Sequence, residues 1–155
     1  MPITIPQRFN GPPASANGGF TCGLLAGAMG ARAAEVSLRM PPPLDTELRV
    51  RTEADRGELL SGDDVVADGV ALAGVDVEPP STASVDAART ASAAYPWYET
   101  HIYPTCFVCG PERPAHDGLE IFAGPMDGDA KVYAAAWTPA REWAGPDGLV
   151  RAELI

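Results

Sequence analysis

The segment that most restricts the fold of this chain is rich in glycine, free of charge and close to the N-terminus. Ser15 or Asn17 can cap a helix there, because each offers a side-chain oxygen to the unpaired N–H groups of a first turn. Apolar side chains then recur at helical spacing: Phe20, Leu24, Leu25, Ala28 and Met29. We predict a helix over about 16–31. Each glycine within it costs up to ~1 kcal/mol relative to alanine, so we expect this helix to be buried with neighbouring backbone packed close to it.

The residues that follow alternate between apolar and polar side chains, as half-buried strands do. The alternation predicts a strand at Val36–Met40, a second around Leu48 and Val50, and further strands on either side of a turn at Ser61–Asp64. A weaker alternation over residues 1–8 is compatible with one more strand. One buried helix followed by three or four antiparallel strands indicates the α+β class.

The second half of the chain predicts one helix and two strands. After a linker at 76–83, Ser84 can cap a short helix over Val85–Ala94. The alternation of Leu119–Ala123 predicts a strand, Asp127–Asp129 a turn, and Lys131–Trp137 the returning strand. The last residues, Leu149–Ile155, are largely apolar and lack a polar tail, so we expect the chain to stop inside an element.

Composition excludes several classes of function. The formal net charge is -10 and the only lysine is Lys131, which disfavours binding to nucleic acid, because phosphate contacts need clustered Lys and Arg. No run of about 18 apolar residues predicts a membrane span, and we expect no membrane partner. The N-terminus has no signal-peptide core, and the three cysteines are an odd number, so we expect a cytoplasmic location.

Both histidines and two of the cysteines lie within one short segment. His101, Cys106, Cys109 and His116 supply four N and S donors, which is the donor set of a tetrahedral zinc site. Their outer spacings match no common zinc finger, so we predict no metal. A redox role for Cys106 and Cys109 is disfavoured because redox C-x-x-C pairs open a helix after a strand. We expect Cys22 to act as a small buried apolar residue.

Several segments, read together, resemble hotdog-fold acyl-CoA thioesterases. The run Cys106–Gly110, followed by Gly118-Leu119-x-Ile121, resembles the opening of many such domains. The run Phe9–Phe20, with Asn-Gly-Gly at 17–19 in the place of a His-Gly-Gly type helix start, resembles the approach to their central helix, and Val36–Leu48 fits their first strands.

The resemblance implies a hotdog fold, in which an antiparallel sheet curls around a central glycine-rich helix. It also implies two repeats in tandem. Residues 1–78 would form the first repeat, 79–100 a linker with a short helix, and 101–155 the start of an incomplete second repeat. An incomplete repeat exposes apolar surface and a sheet edge, so a homo-oligomer is expected.

The function that the resemblance implies is binding or hydrolysis of an acyl-CoA or similar thioester, without a cofactor. In that family the N–H groups at the start of the central helix hold the thioester carbonyl, where the helix dipole favours negative charge. This assigns Gly18 and Gly19 to substrate binding and Asn17 to the catalytic site. The glycines can instead serve only close packing of the helix on the sheet.

Hydrolysis also needs a base that activates water, and the predicted helix has no acidic residue between Asn17 and Arg32. Glu153 is the only acidic residue near the expected start of the second helix, so it is the candidate base, although it can equally just complement a helix dipole. Two alternatives stay open: a hotdog module that binds without hydrolysis, and a small zinc-binding protein using Cys106 and Cys109. Candidates for a CoA phosphate contact are Arg8, Arg32, Arg39 and Arg113.

Overall fold

The computed structural model describes residues 2–78 and 82–154 and has an α+β architecture. The chain divides into two compact units. The first unit comprises Met1–Asp76 together with Ala140–Ile155, and the second comprises Val77–Pro139. The first contains a five-stranded antiparallel sheet with an α-helix, and the second contains a small two-stranded sheet with another α-helix. The predicted α+β class is therefore confirmed.

The strands of the first unit occur in the spatial order β1-β3-β4-β5-β2, and all neighbours are antiparallel. Its elements are β1 (Pro2–Thr4), α1 (Gly18–Ala28), β2 (Ala34–Leu38), β3 (Glu47–Glu53), β4 (Arg56–Ser61) and β5 (Asp64–Ala71). The four predicted strands after the helix are confirmed. β1 is shorter than the alternation over 1–8 suggested, because Pro6 offers no N–H to a sheet ladder and is followed by a 3-10 turn at Gln7–Phe9.

The glycine-rich helix α1 is shorter and less buried than predicted. Asn17 caps it, and Gly30, in the left-handed region at φ 65°, follows its C-terminal end. One face packs against β2, β4 and β5 and buries Phe20, Thr21 and Leu25. The expectation of a wholly buried helix is wrong, because the opposite face carries glycine and alanine, which expose little apolar side-chain area.

Close approach between α1 and the sheet is achieved by glycines of the sheet. Gly57 of β4 lies directly opposite Gly69 of β5. A Cβ atom on Gly57 would lie 2.6 Å from Met29 Cγ and 3.2 Å from Leu25 Cδ1. Because these two residues have no side chain, they leave a notch in the sheet surface, which we call the Gly57–Gly69 notch. The C-terminal end of α1 packs into it.

The second unit contains α2 (Val85–Ala93), β6 (Gly124–Met126) and β7 (Asp129–Ala134). The predicted cap is confirmed, since Ser84 Oγ accepts a hydrogen bond from the Ala87 N–H at 3.1 Å. The predicted turn between the two strands is also confirmed, with Gly128 at φ 86°.

The predicted strand at Leu119–Ala123 is wrong, and the first strand of this pair starts at Gly124 instead. The Leu119 and Ile121 N–H groups donate to the Phe107 and Val108 carbonyls at 2.8 and 2.9 Å. Glu120 between them lies at φ 55°, outside the extended region. The apolar alternation therefore anchors this segment to the cysteine-containing loop and not to a sheet.

The C-terminal segment joins the first unit. It contains 3-10 turns at Arg141–Trp143 and Ala152–Leu154, and the second of these packs against α1. A second helix was expected to start near 149–155; over the described residues this stretch contains only the 3-10 turn, and Ile155 lies outside the described residues. Within the described part of the chain, no helix has the length and apolar character needed to cross a membrane.

Candidate functional site

The start of α1 is held in place by a set of short-range contacts. Asn17 Oδ1 accepts a hydrogen bond from the Phe20 N–H at 3.1 Å, and the Asn17 N–H donates to the Phe9 carbonyl at 2.8 Å. The rings of Phe9 and Phe20 stack with centroids 4.1 Å apart. The Ala16 N–H donates to the Pro42 carbonyl at 2.8 Å, which ties the approach to α1 to the loop after β2. Asn17 is thus a structural cap of this helix.

Gly18 and Gly19 are the first two residues of α1, where N–H groups have no acceptor within the helix. Among the described residues, neither of these N–H groups donates a hydrogen bond. A Cβ atom on Gly18 would lie 3.0 Å from Leu38 Cδ1, so glycine leaves room at this point. The helix dipole adds positive character to the same place. Two unpaired donors therefore lie together at a position that favours a carbonyl oxygen or an anion.

An open groove of about 340 Å³ lies beside this helix start. We call it the α1-start groove; it is lined by Pro12, Ser15, Ala16, Gly18, Leu38, Arg39, Met40, Pro41 and Pro42. Leu38 and Met40 are 41% and 39% exposed, which is high for large apolar side chains. The groove thus combines an apolar wall with the backbone of the first residue of α1.

Among the described residues that line this groove, Arg39 is the only cation, and it forms an ion pair with Asp68. Its Nη2 donates to Asp68 Oδ2 at 3.0 Å, and its Nε donates to the other carboxylate oxygen. The hydrogen bond from Arg39 lowers the pKa of Asp68 below the usual range of an aspartate. The groove therefore presents little net charge to a ligand.

Glu153, the candidate base, lies in the 3-10 turn that packs against α1. Its side chain is 20% exposed, and its Oε1 is 3.6 Å from Arg151 Nε. It is not among the residues that line the α1-start groove. The structure therefore places Asn17, Gly18 and Gly19 side by side, and it places Glu153 against the same helix as an ion-paired carboxylate.

Most of the arginines proposed for a CoA phosphate have carboxylate partners. Arg8 pairs with Glu142 at 3.0 Å, and Arg113 pairs with Asp117 at 2.6 Å. Arg32 is exposed, and no ion pair joins it to another residue within the described ranges. The apolar wall of the groove was not predicted; its signal in the sequence is the Met-Pro-Pro-Pro run at 40–43, which follows β2 after Arg39.

The two cysteines of the C-x-x-C motif form a second cluster, in the segment 101–110 that we call the thiol loop. Cys106 is buried, Cys109 is half-buried, and their Sγ atoms are 3.7 Å apart. His101 Nε2 lies 3.4 Å from Cys109 Sγ, while His101 Nδ1 accepts a hydrogen bond from the Tyr103 N–H at 2.9 Å. Because Nδ1 is an acceptor, the neutral ring carries its proton on Nε2 and donates it to Cys109.

Two groups in the thiol loop and beside it keep their protons to unusually high pH. The hydrogen bond with Cys106, together with burial, raises the pKa of the Cys109 thiol. Burial and the neighbouring Cys109 raise the pKa of Tyr95, whose hydroxyl donates to the Cys109 carbonyl at 3.2 Å. Cys109 and Tyr95 are therefore both uncharged at physiological pH.

The four donors proposed for zinc are not assembled. His116 is 89% exposed at its side chain and lies beside Glu120, with 3.9 Å between Nδ1 and Oε2. In the ranges that the structure describes, no group of three or more His, Cys, Asp and Glu side chains is placed to hold a metal ion. The third cysteine, Cys22, is half-buried in α1, and burial raises its pKa.

Comparison with known proteins found no match among protein-family models, curated proteins or solved structures.

Proposed function

We propose that this chain is a thioesterase-like protein with a hotdog arrangement, which binds or hydrolyses an acyl-CoA type thioester at the α1-start groove. The connectivity supports the arrangement: α1 lies between β1 and β2 in sequence and packs on an antiparallel sheet of order β1-β3-β4-β5-β2. The sheet glycines at 57 and 69 let this helix approach the strands closely, as a sheet curled around a helix requires.

The observation that carries the proposal is the meeting of unpaired N–H donors and an apolar groove at the start of α1. A thioester carbonyl oxygen would accept hydrogen bonds from Gly18 and Gly19, and the acyl chain would lie along Leu38 and Met40. These donors would bind the tetrahedral oxyanion more strongly than the carbonyl, because its charge is larger. The groove volume of about 340 Å³ lies in the range of small-molecule sites.

Hydrolysis in this scheme uses Glu153 as the base. Its carboxylate would take a proton from water while the water oxygen attacks the thioester carbon. The oxyanion would then collapse, break the carbon–sulfur bond and release the thiolate, which takes a proton to become the free thiol. The packing of the Ala152–Leu154 turn on α1 supports this role, because it brings Glu153 to the helix that offers the donors.

The test measures free CoA released from a series of acyl-CoA chain lengths, separated by chromatography. Gly18→Val places a branched side chain where even a Cβ atom would be 3.0 Å from Leu38, so turnover should fall at least tenfold. Gly27→Ala is the matched control on the same helix, since a Cβ atom there meets nothing within 4 Å. Glu153→Gln should lower kcat without weakening substrate binding. No turnover and no binding at any chain length would refute the proposal.

A binding module without hydrolysis is the second candidate, and two observations favour it. Within the described part of the chain, no carboxylate lines the α1-start groove, and Glu153 is ion-paired with Arg151. Calorimetric titration with a non-hydrolysable acyl-CoA thioether separates the two functions: binding without turnover of the matching thioester favours the module. Light scattering in the same buffer tests the expected homo-oligomer. Elemental analysis tests the zinc-binding alternative: about one zinc per chain would support it.

A further inference from the structure

The thiol loop has a chemistry that the proposed thioester function does not use. The Sγ atoms of Cys106 and Cys109 are 3.7 Å apart, while a disulfide needs about 2.05 Å, so a movement of under about 2 Å joins them. The backbone of the loop is held by hydrogen bonds that involve neither sulfur. The Gly110 N–H donates to the Cys106 carbonyl at 2.8 Å, and the Glu112 N–H donates to the Pro104 carbonyl at 2.9 Å. The fold of the loop therefore does not depend on the sulfurs, which already lie close to bonding distance.

The two thiols differ in access, which sets the order of reaction. Cys109 is half-buried and contacts the His101 Nε2–H, whereas Cys106 is only 6% exposed. An external reagent therefore reaches Cys109 first and finds Cys106 directly behind it. The raised pKa of Cys109 keeps most of this thiol protonated at neutral pH, so the reaction proceeds through a small thiolate fraction, whose charge the Nε2–H can stabilise by a hydrogen bond.

We propose that Cys106 and Cys109 form a dithiol site that reacts with low-molecular-weight disulfides and closes reversibly to an intramolecular disulfide. The Cys109 thiolate attacks one sulfur of the reagent RSSR, which forms a mixed disulfide and releases RS⁻. Cys106 then attacks the Cys109 sulfur, the protein disulfide forms, and the second RS⁻ leaves. The two protein protons end on two RSH molecules, so the protein loses two electrons and the reagent gains them.

Oxidation has a defined structural consequence at His101. Closing the disulfide shortens the distance between the two Sγ atoms from 3.7 Å to about 2.05 Å, so Cys109 Sγ shifts and its 3.4 Å contact with His101 Nε2 should change. His116 is the only other histidine of the chain, and its nearest charged partner is Glu120 at 3.9 Å. The two imidazoles thus provide a reporter and an internal control in one molecule.

The first experiment uses the full chain with Cys22→Ser, so that only the pair carries thiols, and bis(2-hydroxyethyl) disulfide as the reagent. After acid quenching, intact mass should fall by about 2 Da, and dithiothreitol should restore it. In the same background, Cys106→Ser should keep a stable mixed disulfide on Cys109, whereas Cys109→Ser should react at least tenfold more slowly. Circular dichroism checks that each variant is folded.

The second experiment needs no change to the pair. Nitrogen NMR of the Cys22→Ser chain should show that oxidation shifts the His101 ring signals and leaves those of His116 in place. The rate of oxidation should rise about tenfold between pH 7 and pH 8, because the thiolate is the reacting form. A folded chain that retains both thiols while the guanidinium-unfolded chain is oxidised would overturn the proposal. So would about one zinc per purified chain that is lost on substituting either cysteine.

Discussion

The Gly57–Gly69 notch gives the sharpest test of how α1 is seated on the sheet. Gly57→Ala would place a methyl group 2.6 Å from Met29 Cγ and 2.7 Å from Met29 Sδ, about 1 Å inside an ordinary van der Waals contact. The methionine chain is flexible and can turn aside, but doing so disturbs its packing against β4. We expect Gly57→Ala to lower the free energy of unfolding by about 1–3 kcal/mol, as overpacked cores do.

A double-mutant cycle with Met29→Ala isolates this contact. Without the methionine side chain, the close neighbour that remains is Leu25 Cδ1 at 3.2 Å, which needs to move only slightly, and alanine is favoured over glycine in a strand by roughly 0.5–1 kcal/mol. Gly57→Ala should therefore be neutral or stabilising in the Met29→Ala background. The coupling free energy between the two substitutions should reach about 1–4 kcal/mol, above the ~0.5 kcal/mol of independent sites.

The cycle is measured by urea unfolding, followed by both circular dichroism and tryptophan fluorescence to check that the two signals coincide. Gly27→Ala serves as the control for the general preference for alanine, since a Cβ atom at that helix position meets open space. It should stabilise the chain by up to ~1 kcal/mol. If Gly57→Ala lowered the free energy of unfolding equally in the natural chain and in the Met29→Ala background, the reasoning would be refuted, because the notch would then not hold the Met29 side chain.

Three further perturbations test other parts of the fold. Asn17→Ala should lower the free energy of unfolding by about 0.5–2 kcal/mol and Asn17→Asp by much less, because only the alanine variant loses the acceptor for the Phe20 N–H. Equal losses in urea unfolding would contradict the role of Asn17 as a cap. Gly118→Ala should destabilise by about 1–3 kcal/mol, because its Cβ atom would lie 2.5 Å from the rigid Phe107 carbonyl; an unchanged urea midpoint would contradict this. The free energy of unfolding should keep its full value below about pH 9 and fall at higher pH. Tyr95 and Cys109 keep their protons in the folded state, whereas in the unfolded chain they lose them at the ordinary pKa values of 10.0 for tyrosine and 9.0 for cysteine. Each group contributes a slope of at most about 1.4 kcal/mol per pH unit, so Tyr95→Phe should unfold with a shallower slope above pH 10, and parallel slopes would contradict the assignment.

The sequence predicted the strands of the first unit because their signal is local. Alternation at Val36–Leu38 or Leu48–Val50 reports a half-buried sheet without knowledge of the partner strand. The helix start was equally visible, since a cap residue and the first turn are neighbours in the chain. The same logic failed at Leu119–Ala123, where a single residue at positive φ redirects an alternating segment towards a loop.

The remaining features depend on pairs of residues that are distant in sequence. The α1-start groove requires the Ala16 N–H to meet the Pro42 carbonyl, and neither residue alone indicates this hydrogen bond. The packing of the Ala152–Leu154 turn on α1 joins the two ends of the chain, which no local pattern reports. The notch likewise needs Gly57 and Gly69 in register, and register is a property of the strand pair.

The two proposed sites draw on separate parts of the chain, and this makes their tests independent. The α1-start groove and Glu153 belong to Met1–Asp76 and Ala140–Ile155, whereas the thiol loop belongs to Val77–Pro139. A chain with Cys106→Ser and Cys109→Ser keeps every residue proposed to bind the thioester. If it still releases CoA while failing to consume disulfide, the thiol chemistry is a second property of the protein. If release of CoA disappears while circular dichroism and the urea midpoint stay unchanged, the assignment of the reaction to the start of α1 is wrong.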